Sequence, residues 1–315
     1  MGWTLTPCYT NDSNLHNLYG FRGNDFNITK NSDSTRIVCI GGSTTYGTSV
    51  IDYKNSYPYQ LGLFLNNYSD HEFEVINAGV GNADSWYSLI NYFFNIQYLK
   101  PDILIIYHGD NDLESRFSYP KNKYKSDNTG NISSSVNILS RQSIFNHSFT
   151  LRLLGYHSSL LRTITGKIYP YDSLNTLYSS DTNYYYKYLD SLKNNTNHNE
   201  QFWQDLLDSN SLFYTKNNLT NIIMAAKKHS TSVILSSFMY IDVTNETSSP
   251  CYKRGISEYN VMVNDLSFDL NISYFDLASN FPSDNSFFDI DGIHMNEKGN
   301  KLKAKLIAEH ILETY

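Results

Sequence analysis

The sequence predicts a three-layer α/β/α fold built on a parallel sheet of about five strands, with a long insertion after the third strand. Three observations lead there. Short apolar runs alternate with longer stretches of helical periodicity, as βαβ units require. The first and third runs, 36–40 (RIVCI) and 103–107 (ILIIY), are almost continuously apolar, as strands covered on both faces must be. About 100 residues rich in Tyr, Asn and Ser then break the alternation, too many for a plain loop in a compact domain.

In order, residues 1–35 read as a lead-in and 36–315 as one domain, interrupted by an insertion or cap at about 114–211. The strand at 36–40 is followed by a helix over 57–65, and a second strand at 73–76 (FEVI) by a helix over 85–99. Asp84 or Ser85 serves as N-cap of that helix, and Pro101 lies just beyond its end. After the strand at 103–107, the insertion carries helix candidates at 141–161 and 183–192. A helix over 212–229 leads to a strand at 232–235 (SVIL), and one over 256–270 to a strand at 273–275 (SYF). The last helix, 296–312, carries apolar residues at Leu302, Leu306 and Ile307.

Composition narrows the function classes. A net charge of -7 offers no basic footprint for a nucleic-acid partner. No apolar run reaches 18 residues, so no membrane span is expected. The first residues have neither the basic start nor the apolar core of a signal peptide. The abrupt start leaves two expectations for location, attachment through an upstream anchor outside the cytoplasm or a cytoplasmic protein. Nine Asn-x-Ser/Thr sequons are close to what the composition yields by chance, so they do not decide between these. The 27 Tyr and 17 Phe have two readings: the codon bias of an AT-rich genome, or a sugar-binding surface of flat faces with polar tips. Among the three cysteines, Cys39 reads as a small core residue, while pairing of Cys8 with Cys251 stays open. No cysteine spacing matches a metal site, and no cofactor is expected.

Four segments carry chemistry. Gly41-Gly42-Ser43-Thr44 directly follows a strand, where glycines permit a tight turn that presents a hydroxyl at the sheet's carboxyl edge. The competing reading is an ordinary glycine-rich turn; the nucleotide-binding glycine patterns are absent. Asn77-Ala78-Gly79-Val80-Gly81-Asn82-Ala83-Asp84-Ser85 leads from a strand into a helix whose free N–H groups suit an anion. His108-Gly109-Asp110-Asn111-Asp112 ends the third strand; Asn111 can donate its amide to a developing negative charge. A metal site built from His108, Asp110 and Asp112 is the alternative there. Finally, Asp291-Gly292-Ile293-His294 precedes the last helix. A serine hydroxyl needs a base; His294 can take its proton and Asp291 can fix the imidazole tautomer.

Together GGST, NAGVGNADS, GDND and DGIH resemble, in order and strand context, the four blocks of the SGNH (GDSL-like) hydrolase superfamily. The resemblance covers about 36–113 and 212 to the end, but not the insertion. It implies a flavodoxin-like sheet, Ser43 as nucleophile, His294 as base and Asp291 as its partner. It also implies an oxyanion hole from the Ser43 N–H, the Asn111 amide and a backbone N–H of the second block. The family's glycine at that last position falls on Asn82 here, with Gly81 one residue earlier, so both stand as candidates. The stretch 18–26 (LYGFRGNDF) is similar to the lead-in of members associated with cell-surface polysaccharides.

The expected activity is hydrolysis of O-acyl esters, O-acetyl on carbohydrate first, through an acyl-enzyme on Ser43. The partner is then a small-molecule or glycan ester. Three alternatives use the same scaffold: an O-acetyltransferase with a sugar hydroxyl as acceptor, a lipase or thioesterase, and a silent carbohydrate-binding module. Oligomeric state has no signature in the sequence.

Overall fold

A computed structural model describes residues 5–11, 14–118, 199–242 and 249–314. The insertion's interior, with both of its helix candidates, lies outside the described residues. A single five-stranded parallel sheet forms the centre: β1 (Ser34–Gly41), β2 (Glu72–Asn77), β3 (Ile103–Tyr107), β4 (Ser232–Ser236) and β5 (Ser273–Phe275), in spatial order β2-β1-β3-β4-β5. All five expected strands are present, within two residues at each end. Cys39 pairs with Asn77 on one side and Ile105 on the other. Because the chain steps outward from β1 to β2 and then back across to β3, the carboxyl ends of β1 and β3 diverge. That divergence is a topological switch point, where open α/β sheets hold their ligands.

The helices are α1 (Ser43–Tyr46), α2 (Tyr57–Tyr68), α3 (Ser85–Phe94), α4 (Asp110–Ser118), α5 (Glu200–Ser209), α6 (Phe213–Lys228), α7 (Ser249–Leu270), α8 (Leu277–Asn280) and α9 (Glu297–Thr314). Ile37, Val38, Cys39 and Ile40 are consecutive and wholly buried, so both faces of the sheet are covered. Helices α2 and α9 pack together as one cover, and α3, α6 and α7 make up another.

Four local features differ from the sequence expectation. The helix expected over 85–99 ends at Phe94; Asn95 leaves helical geometry, and a separate 3-10 turn, Ile96–Leu99, follows. Asp84 is its N-cap, accepting from the Tyr87 amide. Helix α7 starts at Ser249 rather than at 256, with Pro250 in its first turn, where a missing N–H costs nothing. Helix α4 begins inside the GDND segment, and α5 lies within the range assigned to the insertion. All three cysteines are free thiols, with Cys8 exposed and Cys251 buried, so the open Cys8–Cys251 pairing is not made. Among the described residues, no helix is long and apolar enough to cross a membrane.

Candidate active site

Ser43 opens α1, one residue past the Gly42 that ends the turn out of β1, and is 7% exposed. As the first residue of a helix, its N–H has no partner within the helix. Its Oγ lies 2.7 Å from His294 Nε2. The ring's other nitrogen, Nδ1, lies 2.6 Å from Asp291 Oδ2. The second oxygen of Asp291 accepts from the Ile293 and His294 amides, each at 2.9 Å. Burial works against the Asp291 charge, but the hydrogen bonds from His294 and Ile293 outweigh it and hold the carboxyl below its ordinary range. An ionised Asp291 accepts from Nδ1–H, which leaves Nε2 as an acceptor facing the serine hydroxyl.

The loop carrying Asp291 and His294 is tied at both ends. Phe288 pairs with Met295 across its base, and Asp289 N–H donates to His294 O at 2.8 Å. Ser49 Oγ donates to Met295 O at 2.5 Å, which joins this loop to the chain after the nucleophile turn. Ile241 N–H donates to Gly292 O at 2.9 Å from the segment that follows β4.

Asn111 stands in the first turn of α4, beyond the end of β3. Its Nδ2 donates to Ala83 O at 3.0 Å. The same nitrogen would lie 2.3 Å from a Cβ added to Gly42, so the Asn111 amide is seated directly against the nucleophile turn. Asn82 has a left-handed backbone (φ 59°), whereas Gly81 does not. Glycine fills that conformation without steric cost, and asparagine tolerates it better than most residues. The position at which glycine would be favoured is therefore Asn82.

The remaining polar residues of the third segment separate. His108 is buried, its Nε2 2.8 Å from Ser88 Oγ, and burial pushes its ring down to about 3. Asp112 is fully buried and accepts from the Ser85 hydroxyl at 2.5 Å, the Ser85 amide and Thr215 Oγ1 at 3.1 Å. Burial raises it to about 6 despite those donors. These two groups hold α3 and α6 against the end of β3. Asp110 is 7% exposed and accepts from the Tyr252 hydroxyl. Among the described residues, no three His, Cys, Asp or Glu side chains are grouped as a metal site would require.

Arg22, which sequence reasoning did not single out, supports the turn after Ser43 from the lead-in. Its guanidinium donates to the carbonyls of Tyr46 (2.7 Å), Gly47 (2.6 Å) and Val50 (2.8 Å). Asn77 Nδ2 adds a bond to Tyr46 O at 3.1 Å. These donors tie the carbonyls at and just beyond the end of α1 to the lead-in and to the end of β2. The sequence signal lay in the stretch 18–26 as a whole, and nothing local singles out its arginine.

The fold agrees with that of known proteins. The family model described as GDSL-like Lipase/Acylhydrolase matches residues 37–307. No sequence among the curated proteins matches this chain. Solved structures do: one of Axe2 from Geobacillus stearothermophilus, described as an acetylxylan esterase, is 12% identical, with a TM-score of 0.50, covering 90% of this chain and 95% of that one. A second Axe2 structure, described as an acetyl-xylooligosaccharide esterase, is 12% identical with a TM-score of 0.52 and coverage of 89% and 96%. TesA is 10% identical with a TM-score of 0.50, covering 88% and 98%. With the family model spanning the sheet from β1 into α9, the chain belongs to the GDSL-like lipase and acylhydrolase family and is an ester-bond hydrolase.

Proposed function

We propose that the chain is a serine esterase that removes O-acyl groups, O-acetyl groups on carbohydrate foremost, through an acyl-enzyme on Ser43. The observation that carries this reading is the continuous relay Asp291–His294–Ser43, with both contacts under 2.8 Å. His294 Nε2 takes the hydroxyl proton as Ser43 Oγ attacks the ester carbonyl, and Asp291 stabilises the imidazolium that forms. The oxyanion is met by the Ser43 N–H, the second hydrogen of Asn111 Nδ2 and a backbone N–H at Gly81 or Asn82. His294 then protonates the departing alcohol. Water, deprotonated in turn by His294, releases the acid and restores Ser43.

Two things support a carbohydrate substrate. Axe2, which shares the fold, acts on acetylated xylo-oligosaccharides. Tyrosines 240 and 252 are also packed together near the site, their ring centroids 4.7 Å apart. The test is hydrolysis of p-nitrophenyl acetate. Ser43→Ala is expected to abolish it while the circular dichroism spectrum stays unchanged; full activity in that variant overturns the reading. Asp291→Asn removes the partner that fixes the His294 tautomer, so kcat should fall on the order of 10³–10⁴-fold.

A further inference from the structure

We propose that Asp110 and Tyr252 form a hydroxyl-recognition subsite beside Ser43 and His294, which selects esters whose alcohol carries a free hydroxyl next to the acyl oxygen, as a partly acetylated sugar does. The inference deepens the esterase reading above and rests on it.

Asp110 immediately precedes Asn111, three residues past the end of β3, so its position is set by the same turn that seats the Asn111 amide. It is nearly buried and lies within electrostatic reach of both Asp291 and His294. A carboxylate in that place is costly in two ways. It loses solvent, and it stands near a second carboxylate where the reaction itself generates negative charge. A helix-capping role would account for an acidic residue at the start of α4, yet the carboxylate bonds none of the first-turn amides. Among the described residues, its only hydrogen bond is from the Tyr252 hydroxyl to Oδ1. Oδ2 is thus an acceptor without a donor among the described residues, within electrostatic reach of His294.

The surroundings suit a sugar. Tyr252 comes from α7 and packs against Phe117 of α4 on one side and Tyr240 on the other. Tyr240 precedes Ile241, whose amide is bonded to Gly292 O in the loop of Asp291 and His294. An acceptor-only carboxylate and the tyrosine that fixes one of its oxygens are therefore held against one rim of the site. Carboxylates accept from hydroxyls. A hydroxyl beside the scissile ester would donate to Oδ2. An analogue lacking it would leave a buried acceptor unpaired, which is how polar sites reject deoxy substrates.

The experiment compares kcat/KM on three substrates: p-nitrophenyl acetate, a mono-O-acetylated methyl xyloside with a free neighbouring hydroxyl, and its deoxy analogue. The wild type is expected to prefer the hydroxylated xyloside over the deoxy analogue by about tenfold to a hundredfold. In Asp110→Asn that preference should collapse to within about threefold, with most of the change in KM. Tyr252→Phe, which frees Oδ1 without altering charge or shape, should weaken the same preference and serves as the second reading if Asp110→Asn does not fold. A preference retained in both variants, or absent from the wild type, overturns the subsite while leaving the esterase intact. Loss of Ser43-dependent p-nitrophenyl acetate hydrolysis would instead remove the esterase reading and the subsite with it.

Discussion

Around Ser43, two glycines make opposite demands. A Cβ at Gly42 would lie 2.3 Å from Asn111 Nδ2, which is the end of a side chain and can move. A Cβ at Gly79 would lie 2.2 Å from the Tyr46 amide nitrogen and 2.6 Å from the Thr45 carbonyl carbon, which are backbone and cannot. Gly42→Ala should therefore fold, with its melting temperature near that of the wild type, but displace the Asn111 amide. Its kcat should drop roughly 10²–10³-fold, the usual effect of losing one oxyanion donor. Gly79→Ala should instead fail in stability, as reduced soluble yield or a sharply lower melting temperature. If Gly42→Ala keeps full kcat, the Asn111 amide plays no part in the reaction.

At the level of elements, α4 joins the site to α5 and α7. Arg116 is fully buried in it, donating Nε to Asn210 O at 2.6 Å and Nη2 to Leu207 O at 2.9 Å and Glu258 Oε2 at 2.8 Å. Asn210 Nδ2 returns a bond to Arg116 O at 2.9 Å. One side chain thus binds α4 to the end of α5 and to α7. Arg116→Met would remove the arginine's bonds to two carbonyls and one carboxylate at once and should cost roughly 3–5 kcal/mol of unfolding free energy, measured by urea denaturation. Arg116→Lys keeps the charge but not the fork that reaches three acceptors, and should fall between the two.

For the molecule as a whole, Lys303 of α9 is the most telling buried charge. Its Nζ lies 3.1 Å from the Tyr107 ring centroid and 3.9 Å from that of Tyr57, and it has no hydrogen-bond partner among the described residues. Burial pushes the ammonium well below its ordinary range. Between that depressed value and about 10.4, the unfolded chain binds a proton that the folded chain lacks. Stability contributed by this group therefore rises with pH across that window, and levels off once the unfolded lysine is also neutral. Lys303→Met, of similar length and without charge, should raise stability at pH 7 by about 1–3 kcal/mol and flatten this rise, as read from unfolding curves at several pH values. An unchanged slope would place the proton uptake elsewhere.

What depends on neighbours along the chain is legible in the amino-acid order. Near-continuous apolar runs such as RIVCI and ILIIY fit strands covered on both faces, so the sheet can be read from them. The order of Ser43, Asn111, Asp291 and His294 relative to strand ends is legible for the same reason, since a strand's carboxyl edge is a place on the sequence before it is a place in space. Where the local signal is poor, the reading fails: Asp110–Ser118 lacks apolar periodicity, and its helix forms because Leu113 and Arg116 are buried by partners far along the chain. Only the tertiary structure decided that His108 and Asp112 turn inward, that Arg22 meets the carbonyls of the nucleophile turn, and that Tyr252 reaches Asp110 from 142 residues away. Each of these is a hydrogen bond or burial term between remote residues. Such pairings leave no period in the sequence, and they exist only once the sheet has brought its strand ends together.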